Sequence, residues 1–297
     1  MRALLTALIV ACMAAAALAG EISPKKTTDD DIVVTGKRED KLPSSVITRE
    51  ARNVSRLVSL YHEPLARIDN RVCPGVIGLK REAAEIMVGM IRERAELFGI
   101  PLAKENKCTP NILVLFSSDG RAALAELERK YRSISAVLSL KETHELTRDE
   151  GPTRVFSIVE TRMLNGMPVG RSNDLMKPPV GTVEGGHSRI TLVTQQDIIA
   201  SLVVFDRQAT IGKTLNQLAD YTVMRAFART RDVDKGQSLD TILELFAEDG
   251  PKPVGLTPFD RAYLAALYEG VPYIPAQAKL RRIDDKLAEG AGMQQGR

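Results

Sequence analysis

The chain has 297 residues, with 41 lysines and arginines against 38 acidic residues and a formal net charge of +3. This balance, without any basic stretch interleaved with aromatic residues, argues against a dedicated nucleic-acid-binding surface. Aromatic residues make up only 4% of the chain and tryptophan is absent, so the aromatic girdles of an outer-membrane barrel are missing. The length suffices for one large domain with a substantial apolar core.

The first residues predict a secretory signal peptide over residues 1–19. A basic start precedes an apolar, alanine-rich stretch, and residues 17–19, Ala-Leu-Ala, form an A-x-A cleavage pattern. A second reading takes residues 9–12 as a lipoprotein signal that carries lipid on Cys12. No later apolar run reaches the roughly 18 residues of a membrane-spanning helix. We therefore expect a periplasmic or secreted protein without a membrane span.

The stretch "DDDIVVTGKRED" at residues 29–40 resembles the TonB box near the mature start of TonB-dependent outer-membrane receptors. Such a receptor needs a plug and a barrel of about 22 strands, which this chain is too short to build. Residues 20–45 are polar and charged, so we predict a disordered arm. Two hypotheses stay open for residues 32–35: a plain solvated linker, and a segment that binds a TonB-like energy-transducing protein.

Two cysteines remain after removal of the signal peptide, Cys73 and Cys108. An even pair in an oxidising compartment usually forms a bridge, so we predict a Cys73–Cys108 disulfide. It would close a loop of roughly 36 residues and stabilise the fold by about 3 to 4 kcal/mol. A redox-active or metal-binding pair is the alternative, but C-x-x-C spacing and a neighbouring histidine are both missing.

Hydrophobic periodicity predicts a helix, a strand and a second helix in the first half of the chain. Residues 81–98 carry an apolar stripe at helical spacing that ends before Gly99. Residues 111–116, "NILVLF", predict a buried strand. Residues 119–131 predict a helix with Asp119 as its N-cap.

Strands follow in the middle of the chain and helices at its end. Alternating patterns predict strands at residues 153–166, 187–196 and 197–207. Helices are predicted at residues 214–228, 238–248, 257–269 and 277–288. Ser238 and Thr257 are good N-caps for two of them. The fold class is therefore α+β, with an N-terminal α/β unit, a central, mainly antiparallel sheet and C-terminal helices. One domain is expected over residues 46–290, followed by a disordered tail at 291–297.

Four segments resemble the spaced landmarks of a family of secreted alphaproteobacterial proteins without assigned function. They are "RVCPGVIGL", "CTPNILVLF", "QLADYTVMRAFA" and "LTPFDRAYLAALYEG". The resemblance covers residues 46–287. That family's layout is in turn similar to zincin-like metallopeptidase domains, which have a helix, sheet strands, an edge strand, an active-site helix and a C-terminal helical part. The resemblance implies a single zincin-like domain.

The zincin resemblance implies a degenerate active site. A zincin binds Zn²⁺ through two histidines one helical turn apart, and the glutamate beside the first is the general base. The three histidines here, His62, His144 and His187, are too far apart for this motif. If the helix at 214–228 matches the active-site helix, Asn216 and Asp220 occupy the ligand positions and Gln217 the position of the base. Gln217 cannot accept a proton as a carboxylate does and an asparagine is a poor zinc ligand, so we expect no metal, no cofactor and a pseudoenzyme.

Other polar residues give weaker candidates for a site. Glu184 lies three residues before His187 and could share a proton or a metal with it; a surface histidine without a functional partner is the alternative. Asp220, Tyr221 and Arg225 fall on nearby positions of one helix, where Asp220 with Arg225 could orient a polar network at a site; a purely structural pair is the alternative.

Two functional hypotheses follow from these residues. The first is a non-catalytic periplasmic protein that binds an envelope protein or peptide partner, along an exposed sheet edge such as "DIIASLVVFD" at residues 197–206. The alternative is an atypical hydrolase whose site combines His187 with Glu184 or Asp220. No complete catalytic motif supports it.

Overall fold

The computed structural model describes most of the chain from Leu42 onward. The described residues are 42–57, 59–105, 107–130, 151–169, 176, 191–231, 233, 239–247 and 252–295. Several predicted features lie outside them: the signal peptide with Cys12, residues 20–41 of the arm including 32–35, His144, Glu184, His187 and Ser238.

Helices and strands alternate in the first part of the described chain, and helices follow at the end. The α-helices there are α1 (Ser44–Val54), α2 (Arg81–Leu97), α3 (Gly120–Lys130), α4 (Leu215–Ala226), α5 (Pro258–Tyr268) and α6 (Ala276–Gln295). The strands are β1 (Pro74–Ile77), β2 (Ile112–Ser117), β3 (Thr153–Met163) and β4 (Thr194–Asp206). Short 3-10 helices occur at Arg207–Thr210 and Ile242–Phe246.

The sheet is mixed, which corrects the expectation of a mainly antiparallel sheet. Its strand order is β1-β2-β4-β3. β1, β2 and β4 are parallel, and only β3 pairs antiparallel with β4. A parallel strand needs a crossover connection, and α2 supplies the one between β1 and β2. The class is thus mixed α and β, with an α/β unit that contains three of the four strands found in the described part.

β4 lies inside the sheet, so the predicted exposed edge at residues 197–206 is wrong. β2 pairs with β4 from Ser201 to Asp206, and β3 covers its other side. The run from Ile198 to Phe205 is almost continuously apolar, as in strands that are buried on both faces. Residues 194–196 of the strand predicted at 187–196 are the start of β4, so they continue directly into the strand predicted at 197–207.

The two faces of the sheet carry different helices. Met87 of α2 and Phe205 of β4 belong to the main core, together with the apolar side chains of α4, α5 and α6. Leu202 and Val204 of β4 point to the opposite face, where Leu124 of α3 packs against them. The alternation of side chains along β4 therefore places α2 and α4 on one face and α3 on the other.

The predicted disulfide between Cys73 and Cys108 is present. The Cα atoms of the two residues are 6.2 Å apart. The bond joins the residue before β1 to the segment before β2. Asn111 reinforces this junction, because its side chain accepts a hydrogen bond from the Cys73 backbone N–H at 2.8 Å and donates one to the Arg71 carbonyl at 3.1 Å.

The helix predicted at residues 238–248 is, within the described residues, the 3-10 helix Ile242–Phe246. Asp260 of α5 holds its start, since its carboxylate accepts hydrogen bonds from the Ile242 backbone N–H at 2.8 Å and the Thr241 hydroxyl at 2.6 Å. The same carboxylate completes a capping box with Thr257, the N-cap that the sequence predicted for α5. Burial raises the pKa of Asp260 to about 6.

A buried lysine of α6 caps the end of α5. The ammonium of Lys279 donates to the carbonyl oxygens of Leu267, at 3.3 Å, and Glu269. A cation at this position complements the negative end of the helix dipole. Lys279 is only 2% exposed, and its burial lowers its pKa to about 8.

Candidate functional site at helix α4

Helix α4 begins with a capping box that already uses Gln217. The Thr214 hydroxyl accepts a hydrogen bond from the Gln217 backbone N–H at 3.2 Å, and the Gln217 side-chain oxygen accepts one from the Thr214 backbone N–H at 2.9 Å. This reciprocal pair satisfies two N–H groups that a helix start leaves without intrahelical partners. The residue at the predicted position of the general base therefore helps to start the helix.

Asp220 is buried and bonded through both carboxylate oxygens. It is only 2% exposed. Its Oδ1 accepts a hydrogen bond from Arg94 Nε of α2 at 2.8 Å, and its Oδ2 accepts one from the Leu256 backbone N–H at 2.9 Å. Arg94 also donates to Asn216 Oδ1 at 2.9 Å, so one guanidinium joins both predicted ligand positions. A buried carboxylate is stable here because a cation and a backbone donor compensate its lost hydration.

The same three α4 side chains hold the loop that precedes α5. Gln217 Nε2 donates to the Pro253 carbonyl at 2.7 Å, and Asn216 Nδ2 donates to the Val254 carbonyl at 3.0 Å. The loop approaches α4 so closely at Gly255 that an added Cβ would lie 2.6 Å from Asp220 Oδ2. Asn216, Gln217 and Asp220 on α4 therefore all form hydrogen bonds with the backbone of the loop before α5.

Asn216, Gln217 and Asp220 lie on one helix, as the sequence predicted. Their side chains bond to Arg94 and to the backbone of the loop before α5, and these bonds hold the fold together. The oxygens of Asp220 are occupied by the guanidinium of Arg94 and by a backbone N–H. Among the described residues, no group of three or more His, Cys, Asp or Glu side chains could hold a metal ion. The other two candidates, Glu184 and His187, lie outside the described residues, and His62 is exposed in a turn.

The predicted network of Asp220, Tyr221 and Arg225 divides into separate contacts. Asp220 accepts a hydrogen bond from Arg94 of α2. The Tyr221 hydroxyl forms a 2.7 Å hydrogen bond with Thr153 Oγ1 on β3. The Arg225 guanidinium lies 5.8 Å from the centre of the Tyr221 ring. Arg225 thus contacts Tyr221, and Asp220 is joined to α2.

A second polar cluster, which the sequence analysis missed, lies between β3 and β4. Asp197 is fully buried and accepts hydrogen bonds from Gln195 Nε2 at 2.8 and 3.0 Å. Arg162 Nε lies 3.4 Å from Asp197 and 2.8 Å from Glu160. Burial raises the pKa of Asp197 above its ordinary value. The sequence could have indicated this cluster, because Gln195 and Asp197 are two residues apart in a strand and their side chains therefore point to the same face of β4.

Apolar side chains are exposed at the far end of the β3–β4 ribbon. The last pair of its ladder is Met163–Thr194, so Leu164 follows the end of β3 directly and Val193 directly precedes β4. Met167 follows across a tight turn, where its carbonyl accepts a hydrogen bond from the Met163 backbone N–H at 2.9 Å. The side chain of Met167 is 59% exposed and that of Leu164 is 49% exposed.

Another exposed apolar residue, Val271, comes near this end of the ribbon from another part of the chain. The Leu192 backbone N–H donates to the Tyr273 carbonyl at 2.7 Å, which brings the segment that contains Val271 to the start of β4. Val193 and Val271 are both exposed. We call Leu164, Met167, Val193 and Val271 the ribbon-end surface.

No protein-family model, curated protein or solved structure matches this chain. Within the described ranges, none of the helices combines the length and the hydropathy needed to cross a bilayer.

Proposed function

We propose that this chain is a non-catalytic periplasmic protein that binds an envelope protein or peptide partner. The ribbon-end surface carries the proposal. Its four exposed apolar residues lie just after β3, just before β4 and in the α5–α6 connection, and backbone pairing brings these segments near one another. Contiguous exposed apolar side chains mark protein interaction sites more often than single ones do.

The bonding on α4 supports the non-catalytic part of the proposal. A general base or a metal ligand needs a free lone pair that faces a substrate. Asp220 is instead only 2% exposed, and its two oxygens and the side-chain oxygen of Gln217 accept hydrogen bonds from within the fold. The rival hydrolase therefore gains no support from Asp220, one of the three residues assigned to it.

Two further observations support the scaffold and the location. The presence of an antiparallel edge strand, β3, before β4 and α4 in the chain is an element that the proposed metallopeptidase-like layout needs, and it supports the proposal to that extent. The disulfide between Cys73 and Cys108 is of the kind that persists in an oxidising compartment such as the periplasm.

Affinity capture from cell envelopes tests the proposal. The oxidised full chain is the bait, and the test variant replaces two apolar side chains of the ribbon-end surface, Leu164→Ser with Met167→Ser. If these side chains contact the partner, their loss should cost about 2 kcal/mol or more and raise Kd at least roughly 30-fold. The captured partner should then be missing from the variant.

Val254→Ser is the matched control for this capture. Val254 is also apolar and is 85% exposed, but it lies on the loop held by α4. The control should retain the partner. Equal capture by all three proteins would contradict the assignment to the ribbon-end surface, and the absence of any specific partner would contradict the binding function. A bait without residues 25–42 tests the predicted arm, and an unchanged partner would exclude the arm.

Metal analysis separates the proposal from the hydrolase. The purified full chain should contain no stoichiometric zinc. Zinc at one equivalent, lost in His187→Ala, would overturn the non-catalytic assignment in favour of the rival.

A further inference from the structure

We draw no further inference here: the strongest candidate, the loop before α5 that α4 holds rigidly and that exposes Val254, is an apolar surface for which nothing in the described part of the chain shows what covers it.

Discussion

Replacement of Arg94 by methionine should destabilise the fold through Asp220. The change keeps much of the length and apolar stem of the side chain. It removes the guanidinium, whose Nε donates a hydrogen bond to Asp220 Oδ1 at 2.8 Å. Breaking a fully buried ion pair by removing one partner costs about 3 to 5 kcal/mol. The Arg94 side chain is 18% exposed, so water can reach part of the site. We therefore expect a loss of about 2 to 4 kcal/mol in the free energy of unfolding.

A double-mutant cycle isolates this interaction. Asp220→Asn removes the charge and keeps the side-chain shape, so Arg94→Met combined with Asp220→Asn should be less destabilised than the sum of the single changes. The expected coupling is about 1 to 3 kcal/mol, since the two residues are in direct contact. Urea unfolding of the oxidised protein at pH 7 measures each corner of the cycle. A coupling near zero would refute the structural role of the Arg94–Asp220 pair. A single variant that is more stable than the wild type would also refute it, because the replacement of a functional residue often stabilises a protein.

Four further changes test separate parts of the fold. Gly255→Ala should cost about 1 to 3 kcal/mol in urea unfolding, because its Cβ has no room beside Asp220. Gly89→Ala, on the open side of α2, should instead stabilise by about 0.5 to 1 kcal/mol. Lys279 has its pKa lowered to about 8 by burial, so its contribution to stability should rise with pH from about 8 to 10.5. In that window the unfolded chain binds the extra proton, and the wild type should gain about 2 to 4 kcal/mol relative to Lys279→Met. A constant difference between the two pH-dependent unfolding curves would contradict this assignment. Replacement of the disulfide by Cys73→Ser with Cys108→Ser should cost about 3 to 4 kcal/mol in the same assay, and a loss below about 1 kcal/mol would contradict its stabilising role.

Local signals allowed several elements to be predicted from the sequence. α2 has a complete apolar stripe at helical spacing. Asp119 caps α3 as predicted, with its carboxylate accepting from the Ala122 backbone N–H at 2.9 Å. Thr257 and Pro258 mark the start of α5 because their preferences are set by the first helical turn alone. The disulfide followed from having two cysteines and an expected oxidising compartment.

Features that depend on long-range contacts were missed or misread. β1 has four residues that begin with Pro74 and Gly75, both rare in strands, and it forms because β2 pairs with it. The position of β4 inside the sheet depends on β2, which precedes it by a long stretch of chain. α1 was not predicted, although its buried positions Ile47, Ala51 and Val54 follow helical spacing.

The bonding at the candidate site also depends on long-range contacts that the sequence did not indicate. Residues 216, 217 and 220 were placed on one helix from sequence, but Arg94, the residue that decides the role of Asp220, lies 126 positions away. No local pattern indicates that pairing. The ribbon-end surface likewise combines the β3 turn with the α5–α6 connection, which only the fold brings together.

The structural role of Asp220 is tested most directly by hydrogen exchange at one backbone amide. The Leu256 N–H donates to Asp220 Oδ2 at 2.9 Å, so it should be strongly protected in the wild type. Asp220→Ala should accelerate its exchange selectively, while the amides of β4 keep their protection. Rapid exchange of Leu256 in the wild type, or exchange that Asp220→Ala leaves unchanged, would contradict the account.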